Sequence, residues 1–459
     1  MSLTDTIEAV VAEFDPTGLP VPSPREAQLP ALPGKADALI GMRRAGKTWR
    51  MYQEITEQIA AGTSPGRILY LNFEDERLPP LSGEDLHRFV DAHRRRHPAD
   101  IGRGLSLYLD EVQNVPGWEL FVRRTLDRRD TRVVVTGSSA QLLSREIATS
   151  LRGRALATEI APFSFRESLV FSGRQLPDTW PVSAEQGALL RARFETYMRV
   201  GGFPEVQGLD DRMRVRVLQD YIDVVVLRDV IERHGVGNVE ALRYLVRRLL
   251  AAPAGRFSVN RFYNDLKSHG RKVGKDSLYA ALAHLEDAFL VFALPIDDRS
   301  EAVRTANPRK AYPVDTGLAA AHSFSAAQNT GHLLETAVYL ELRRRGYECG
   351  YIKTRSGFEV DFAARRRGLG HGQLVQVCAD TSDPATRSRE LRALDEAMSE
   401  RRFDKALLLT LGETDTIEVS AGTVMVRPVW RWLLEPEAGH SAEATSAAPT
   451  PRPRSTPES

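Results

Sequence analysis

The chain has 459 residues, too many for one hydrophobic core, so about two to four domains are expected. With 42% hydrophobic and 27% charged residues it has the composition of an ordinary globular protein, and a formal net charge of +1 excludes a global electrostatic pull toward nucleic acid. Two cysteines exclude a disulfide framework or a zinc site, the apolar runs are too short to span a bilayer, and Met1 to Asp5 lacks the layout of a signal peptide; a cytoplasmic protein without a membrane partner is expected.

Residues 1–34 carry Pro16, Pro20, Pro22, Pro24, Pro30 and Pro33 and are expected to form an extended lead-in. Ala36 to Ile40 then reads as a short strand, and Trp49 to Ala61 as a helix. Between them stands Gly41-Met42-Arg43-Arg44-Ala45-Gly46-Lys47-Thr48, with the spacing G-x-x-x-x-G-K-T. The glycines let consecutive N–H groups turn inward on phosphate oxygens. Lys47 would reach the β and γ phosphates, and the Thr48 hydroxyl would ligate Mg²⁺. A helix opening at Gly46 adds its N-terminal dipole to the same anion site. The loop residues Gly41, Arg43, Arg44, Ala45, Gly46, Lys47 and Thr48 are therefore expected to bind ATP with Mg²⁺.

Leu105 to Glu111 is an apolar strand ending in two carboxylates, the Walker B pattern. Asp110 would hold Mg²⁺ through water and Glu111 would polarise the attacking water. The next apolar strand, starting at Thr131, runs into Thr136-Gly137-Ser138-Ser139. Ser138 is either a polar sensor of the γ-phosphate or, with Ser139, a cap of the following helix. Arg152 and Arg154 flank Gly153; either could serve a neighbouring subunit as an arginine finger, with Arg154 the preferred candidate, or form a surface ion pair.

Several longer stretches carry a resemblance. Tyr70 to Leu78, Leu109 to Trp118, Leu151 to Arg154, Pro162 to Glu167 and Gly201 to Glu205 closely resemble a family of bacterial and archaeal AAA-type ATPases, over roughly residues 35–435. The resemblance implies an additional-strand P-loop core with Glu111 as catalytic carboxylate, then a winged-helix-like region and a C-terminal domain of unknown function.

From 185 to 295 the pattern is helical, with Leu242, Leu245, Val246, Leu249 and Leu250 on one face. Arg261 to Ser268 and Lys275 to Ala288 read as paired helices followed by a wing strand from Phe289 to Leu294, a helix-turn-helix cadence. Arg271, Lys272, Lys275, Ser277 and Tyr279 could face DNA; Asp265, Asp276, Glu286 and Asp287 dilute the charge, and a lid or protein-contact role is equally open. The arginine runs at 94–96, 343–345 and 365–367 are expected to be solvated faces.

Farther on, Glu335 lies on a helix, Asp361 on a strand and Gln376 and Cys378 on the next, in the order of a restriction-endonuclease core. Such a core binds Mg²⁺ with two acids and positions water with a lysine. Here Asp361 matches the first acid, while an amide and a thiol stand at the second acid and the lysine. This pattern points to a nuclease-like fold that has lost cleavage, with Lys353 the nearest candidate for a displaced lysine.

The expected protein is thus α/β: an additional-strand P-loop NTPase core (35–180), a helical and winged-helix region (181–300), a restriction-endonuclease-like domain (301–435) and a disordered tail (436–459). Its expected activity is Mg²⁺-dependent ATP hydrolysis coupled to rearrangement of the other domains. An ATP-gated nuclease and a nucleotide-responsive DNA-binding regulator are alternatives, and DNA, a second copy or another protein are the open partners.

Overall fold

The strand that feeds the phosphate loop lies between two neighbours, and this placement organises the N-terminal half. The structure is a computed structural model that describes residues 2–128, 130–137, 151, 153–322, 330–366, 368 and 372–436. β1 (Ala36–Ile40), β2 (Ile68–Asn72), β3 (Leu105–Asp110), β4 (Thr131–Thr136) and β5 (Ala155–Glu159) form one parallel sheet in the order β2-β3-β4-β1-β5. β4 is the additional strand, inserted between the P-loop strand and the Walker B strand. Helices α1 (Leu3–Glu13), α2 (Lys47–Ala60), α3 (Leu86–Arg96) and α4 (Trp118–Asp127) accompany the sheet. All five residues of β1 are buried, as a central parallel strand requires.

Helix α1 corrects the expectation of an extended lead-in. Ser2 and Asp5 form a reciprocal capping box, with Asp5 N donating to Ser2 Oγ at 3.2 Å and Ser2 N to Asp5 Oδ2 at 2.9 Å. Ile7 and Val11, four residues apart, are buried, and the helix lies against α3. The prolines begin only at Pro16, beyond its end.

The middle region contains α5 (Phe165–Phe171), α6 (Ala184–Val200), α7 (Asp211–Val224) and α8 (Val239–Ala251). Helix α7 continues without a break into a π-helical stretch, Val225–Glu232. Then follow β6 (Gly255–Phe257), α9 (Val259–Ser268), α10 (Lys275–Asp287), β7 (Val291–Leu294), α11 (Glu301–Ala306) and β8 (Arg309–Pro313). The three strands pair antiparallel in the order β6-β8-β7, which carries this region past residue 300.

The C-terminal region opens with α12 (Thr316–His322) and α13 (Thr330–Arg344). Its mixed sheet contains β9 (Glu348–Lys353), β10 (Glu359–Arg365), β11 (Gly372–Val377), β12 (Lys405–Thr410), β13 (Asp415–Val419) and β14 (Gly422–Pro428), ordered β13-β14-β12-β11-β10-β9. Helix α14 (Pro384–Arg401) covers it, and α15 (Val429–Leu434) closes the fold. The tail from 437 lies outside the described residues. No helix among the described residues is long and apolar enough to cross a membrane.

Polar contacts join the regions. Phe163 N donates to Gly202 O at 2.7 Å, and Gly202 N donates to Asp315 Oδ2 at 2.6 Å. Burial pushes the Asp315 carboxyl up to about 6, despite the backbone donors Gly202, Leu318 and Gly317. The arginine run at 343–345 is not a solvated face. Arg343 grips Glu159 of β5 at 2.6 and 3.0 Å, and Arg344 donates to Pro162 O at 3.0 Å. A Cβ at Gly202 would stand 2.2 Å from Phe163 O, a backbone atom that cannot swing aside. Gly202→Ala is therefore expected to destabilise the chain by about 1–3 kcal/mol, read as a lowered unfolding midpoint and earlier proteolysis between residues 171 and 200.

Candidate nucleotide site

Two glycines shape the loop by close approach. Gly41 (φ 142°) leaves no room for a Cβ, which would lie 2.3 Å from Ile160 O; at Gly46 (φ 99°) it would lie 2.8 Å from the Arg25 guanidinium. Two non-glycine residues at the site are also left-handed, Arg44 at φ 67° and Glu111 at φ 52°. Each costs on the order of 1 kcal/mol, retained only where surrounding bonds enforce it.

Lys47 is 6% exposed, and its Nζ donates to Gly41 O at 3.0 Å and Met42 O at 3.2 Å, so the ammonium sits inside its own loop. Burial lowers its pKa, while Glu111 and Asp110 act to keep it charged. Asp110 is the hub of the polar network. Its Oδ2 accepts from Thr48 Oγ1 at 2.7 Å and Tyr70 OH at 2.8 Å, and its Oδ1 accepts from Thr136 Oγ1. Thr136 Oγ1 in turn accepts from Glu111 N at 2.9 Å, fixing the left-handed turn after β3. Burial raises the pKa of the Glu111 carboxyl, and Gln113 Nε2 donates to it at 2.6 Å. The Thr48 hydroxyl and Asp110 carboxylate, in direct contact, are the hard oxygen donors that Mg²⁺ prefers.

The loop faces a cavity of about 960 Å³ shared with the middle region. The cavity lining combines the cations Arg43, Arg44 and Lys47 and the acids Glu74, Glu111 and Glu205 with apolar side chains such as Val21, Phe163, Phe171 and Val217. This volume falls within the range of small-molecule sites. Arg43 Nε donates to both oxygens of Asp229, at 3.0 and 3.1 Å, and its guanidinium also reaches Glu74 at 3.5 Å. Asp229 lies on the π-helical stretch and is 4% exposed. Burial raises its pKa, with Arg43 and Lys47 opposing. Arg44 meets Glu205 at 3.5 Å, and Tyr221 OH donates to the same carboxylate.

The expected residues Gly41, Arg43, Arg44, Ala45, Gly46, Lys47, Thr48, Asp110 and Glu111 all lie on or beside this loop. Ser138 and Arg152 lie outside the described residues. Arg154 is not at the site of its own chain. Its carbonyl accepts from Ala36 N at the start of β1, the far end of the sheet from the loop, and its guanidinium pairs with Asp127. Sequence reasoning missed Thr136, Tyr70, Arg25 and Asp229. Thr136 was detectable as the last residue of β4, level with Asp110 once Leu109 pairs with Val135.

A model described as an AAA domain matches residues 34–169, one described as a domain of unknown function matches 191–329, and one described as a restriction endonuclease matches 326–417. Uncharacterized protein MJ1544 of Methanocaldococcus jannaschii is 32% identical over 421 residues, covering 89% of this chain and 90% of its own. An uncharacterized protein of Haemophilus influenzae is 30% identical over 329 residues, covering 72% of this chain and 79% of its own. Among solved structures, the Walker-type ATPase PABY2304 of Pyrococcus abyssi aligns with 70% of this chain and 94% of its own, at 14% identity and a TM-score of 0.41. The chain belongs to the family of MJ1544, AAA-type P-loop proteins with a restriction-endonuclease-like C-terminal domain.

Thr136→Val removes one donor from Asp110 and the acceptor of Glu111 N without emptying the core. In a site that hydrolyses ATP, losing a hydrogen bond to a charged group, about 1.5–3 kcal/mol, should lower turnover by about tenfold to a hundredfold. Circular dichroism should be unchanged; full turnover would show that Thr136 does not organise the acids.

Proposed function

We propose that the protein is a Mg²⁺-dependent ATPase in which the state of the nucleotide is passed to the middle and C-terminal regions. The observation that carries this reading is the direct bond between the Walker A hydroxyl of Thr48 and the Walker B carboxylate of Asp110, beside a cavity open to the middle helices. The loop N–H groups and Lys47 would bind the phosphates, with Arg43 and Arg44 adding positive charge. Thr48 and Asp110 would hold Mg²⁺, which would screen the phosphate oxygens when bound. Glu111, held by Gln113 and by its backbone bond to Thr136, would orient the attacking water and accept its proton.

Coupling follows from Arg43. Its guanidinium is bound to a buried carboxylate of the middle region, and a γ-phosphate would compete for it. Nucleotide binding would then loosen the π-helical stretch from the loop. Asp229→Asn should consequently tighten ATP binding, by about tenfold for one charge-assisted hydrogen bond, measured by titration with a fluorescent analogue.

Catalysis should carry the signature of Glu111. The group works only when ionised, and burial raises its pKa, so turnover should be low at acid pH and climb through a pKa above the ordinary glutamate range. Glu111→Gln should lose about 10²–10⁴-fold together with that rising limb. Equal turnover in wild type and Glu111→Gln would remove the assignment.

A role on DNA is the second reading. Its support is the order α8-β6-α9-α10-β7-α11-β8 with sheet order β6-β8-β7, which resembles a winged helix with an extra helix in its wing, and a groove of about 560 Å³ lined by Lys267, Arg271 and Lys272. Arg271 is already engaged with Glu240 at 2.7 Å, which leaves less charge for phosphate. If duplex DNA is the partner, Lys267, Lys272 and Lys275 changed together to Ala should abolish both DNA stimulation of the ATPase and salt-sensitive binding. Wild-type turnover indifferent to DNA at low salt would reject this reading.

A further inference from the structure

The acidic centre of the nuclease-like domain already contains a cation, and it comes from outside that domain. Lys310 lies on β8, in the middle sheet and upstream of the segment that matches restriction endonucleases. Its side chain is 4% exposed, and its Nζ reaches Asp361 Oδ1 at 2.7 Å, Glu335 Oε1 at 2.8 Å and Glu359 Oε1 at 2.9 Å. Nζ hydrogen-bonds Asp361 and Glu335, and Glu359 adds an ion pair, so three carboxylates surround the ammonium. Burial alone would discharge the lysine, but the carboxylates outweigh it and raise its pKa. Lys353, the lysine expected nearest the centre, is exposed on β9.

Asp361, Glu335 and Gln376 each turn an oxygen that a divalent ion would need to another partner. Asp361 Oδ2 accepts from Val377 N at 2.9 Å, and Glu335 Oε1 also accepts from Tyr312 OH at 2.6 Å. Gln376, at the place of the second acid, turns its Oε1 to Asp361 N at 3.0 Å and donates its Nε2 to Glu390 at 2.7 Å. Mg²⁺ requires near-octahedral oxygen ligands at about 2.0–2.1 Å. Here it would have to share Asp361 with a fixed ammonium and bind beside an amide oxygen engaged with the backbone. The residues do not fit the metal that the fold implies.

We propose that the Lys310 ammonium is the resident cation of this centre, standing where a nuclease would hold its divalent metal. The centre is thereby a clasp between the middle sheet and the C-terminal sheet, not a site of metal-dependent phosphodiester cleavage. Two neighbouring contacts serve the same joint. Arg256 of β6 pairs with Glu359, and Tyr351 OH donates to Pro308 O at 2.7 Å. Removing the ammonium would leave uncompensated carboxylates, which either repel one another and loosen the joint or recruit a divalent ion in its place.

The test is a count of bound Mn²⁺ on the nucleotide-free full chain by paramagnetic resonance, with Thr48→Ala and Asp110→Asn to remove both phosphate-loop ligands. The chain with Lys310 intact should bind no Mn²⁺ and should not nick supercoiled plasmid. Lys310→Met should unfold at lower temperature and regain part of the loss with millimolar Mn²⁺, and adding Asp361→Asn should abolish that recovery. One Mn²⁺ bound while Lys310 is present, or plasmid nicking that Asp361→Asn abolishes, would overturn the proposal. If Lys310→Met does not fold at all, the Mn²⁺ count and plasmid assay on the Lys310 chain still decide it.

Discussion

The buried ion pair between Arg25 and Glu167 is the constraint on which the rest of the nucleotide site rests. The guanidinium bonds Glu167 at 3.0 Å, Ala45 O of the phosphate loop at 2.9 Å and Ala161 O after β5. Glu167 also accepts from Glu26 N and Ser164 N, closing the capping box of α5. Lead-in, loop and domain junction are therefore tied through two side chains that are each about 5% exposed or less. Taking away one member of such a pair typically costs about 3–5 kcal/mol, because the other is left charged and dry. The loop is held from outside by a segment far from it in the chain, so its shape need not await a ligand.

Charge is used in opposite ways at the two centres. At the phosphate loop Arg43, Arg44 and Lys47 border an open cavity, where an anion would compete with their present carboxylate and carbonyl partners. In the C-terminal domain one buried lysine stands among three carboxylates, and the amide of Gln376 adds no further negative charge. The same low dielectric that strengthens attraction for an incoming phosphate in the first case makes an unpaired acid untenable in the second.

Between the centres, polar joints stand within an apolar core that runs through all three regions. Gly202, Asp315, Arg343 and Arg344 connect the ATPase sheet to the helices behind it through backbone carbonyls and carboxylates. Such contacts are directional and exchange partners at short range, unlike an apolar interface that gains with area in any orientation. Asp229, on a π-helical stretch where the ordinary bond spacing is broken, links that stretch to the loop through Arg43.

Local pattern was sufficient for the phosphate loop, for Asp110 and Glu111, and for the alternation of strands and helices. Each depends on backbone geometry over a few adjacent residues, which periodicity and glycine spacing record directly. The helix at the N-terminus was equally local; its capping box at Ser2 and Asp5 was overshadowed by the prolines after it. What local pattern could not supply was pairing across distance. Which hydroxyl reaches Asp110 depends on the register of β3 against β4, and that selects Thr136. Arg343 looked like any solvated arginine because its partner, Glu159, lies 184 residues away. Lys310 gave no sign of its role, since Asp361 is 51 residues farther along and on another sheet. Charged residues carry no mark of burial in the sequence; only the path of the chain brings the opposite charge within reach and removes the water between them.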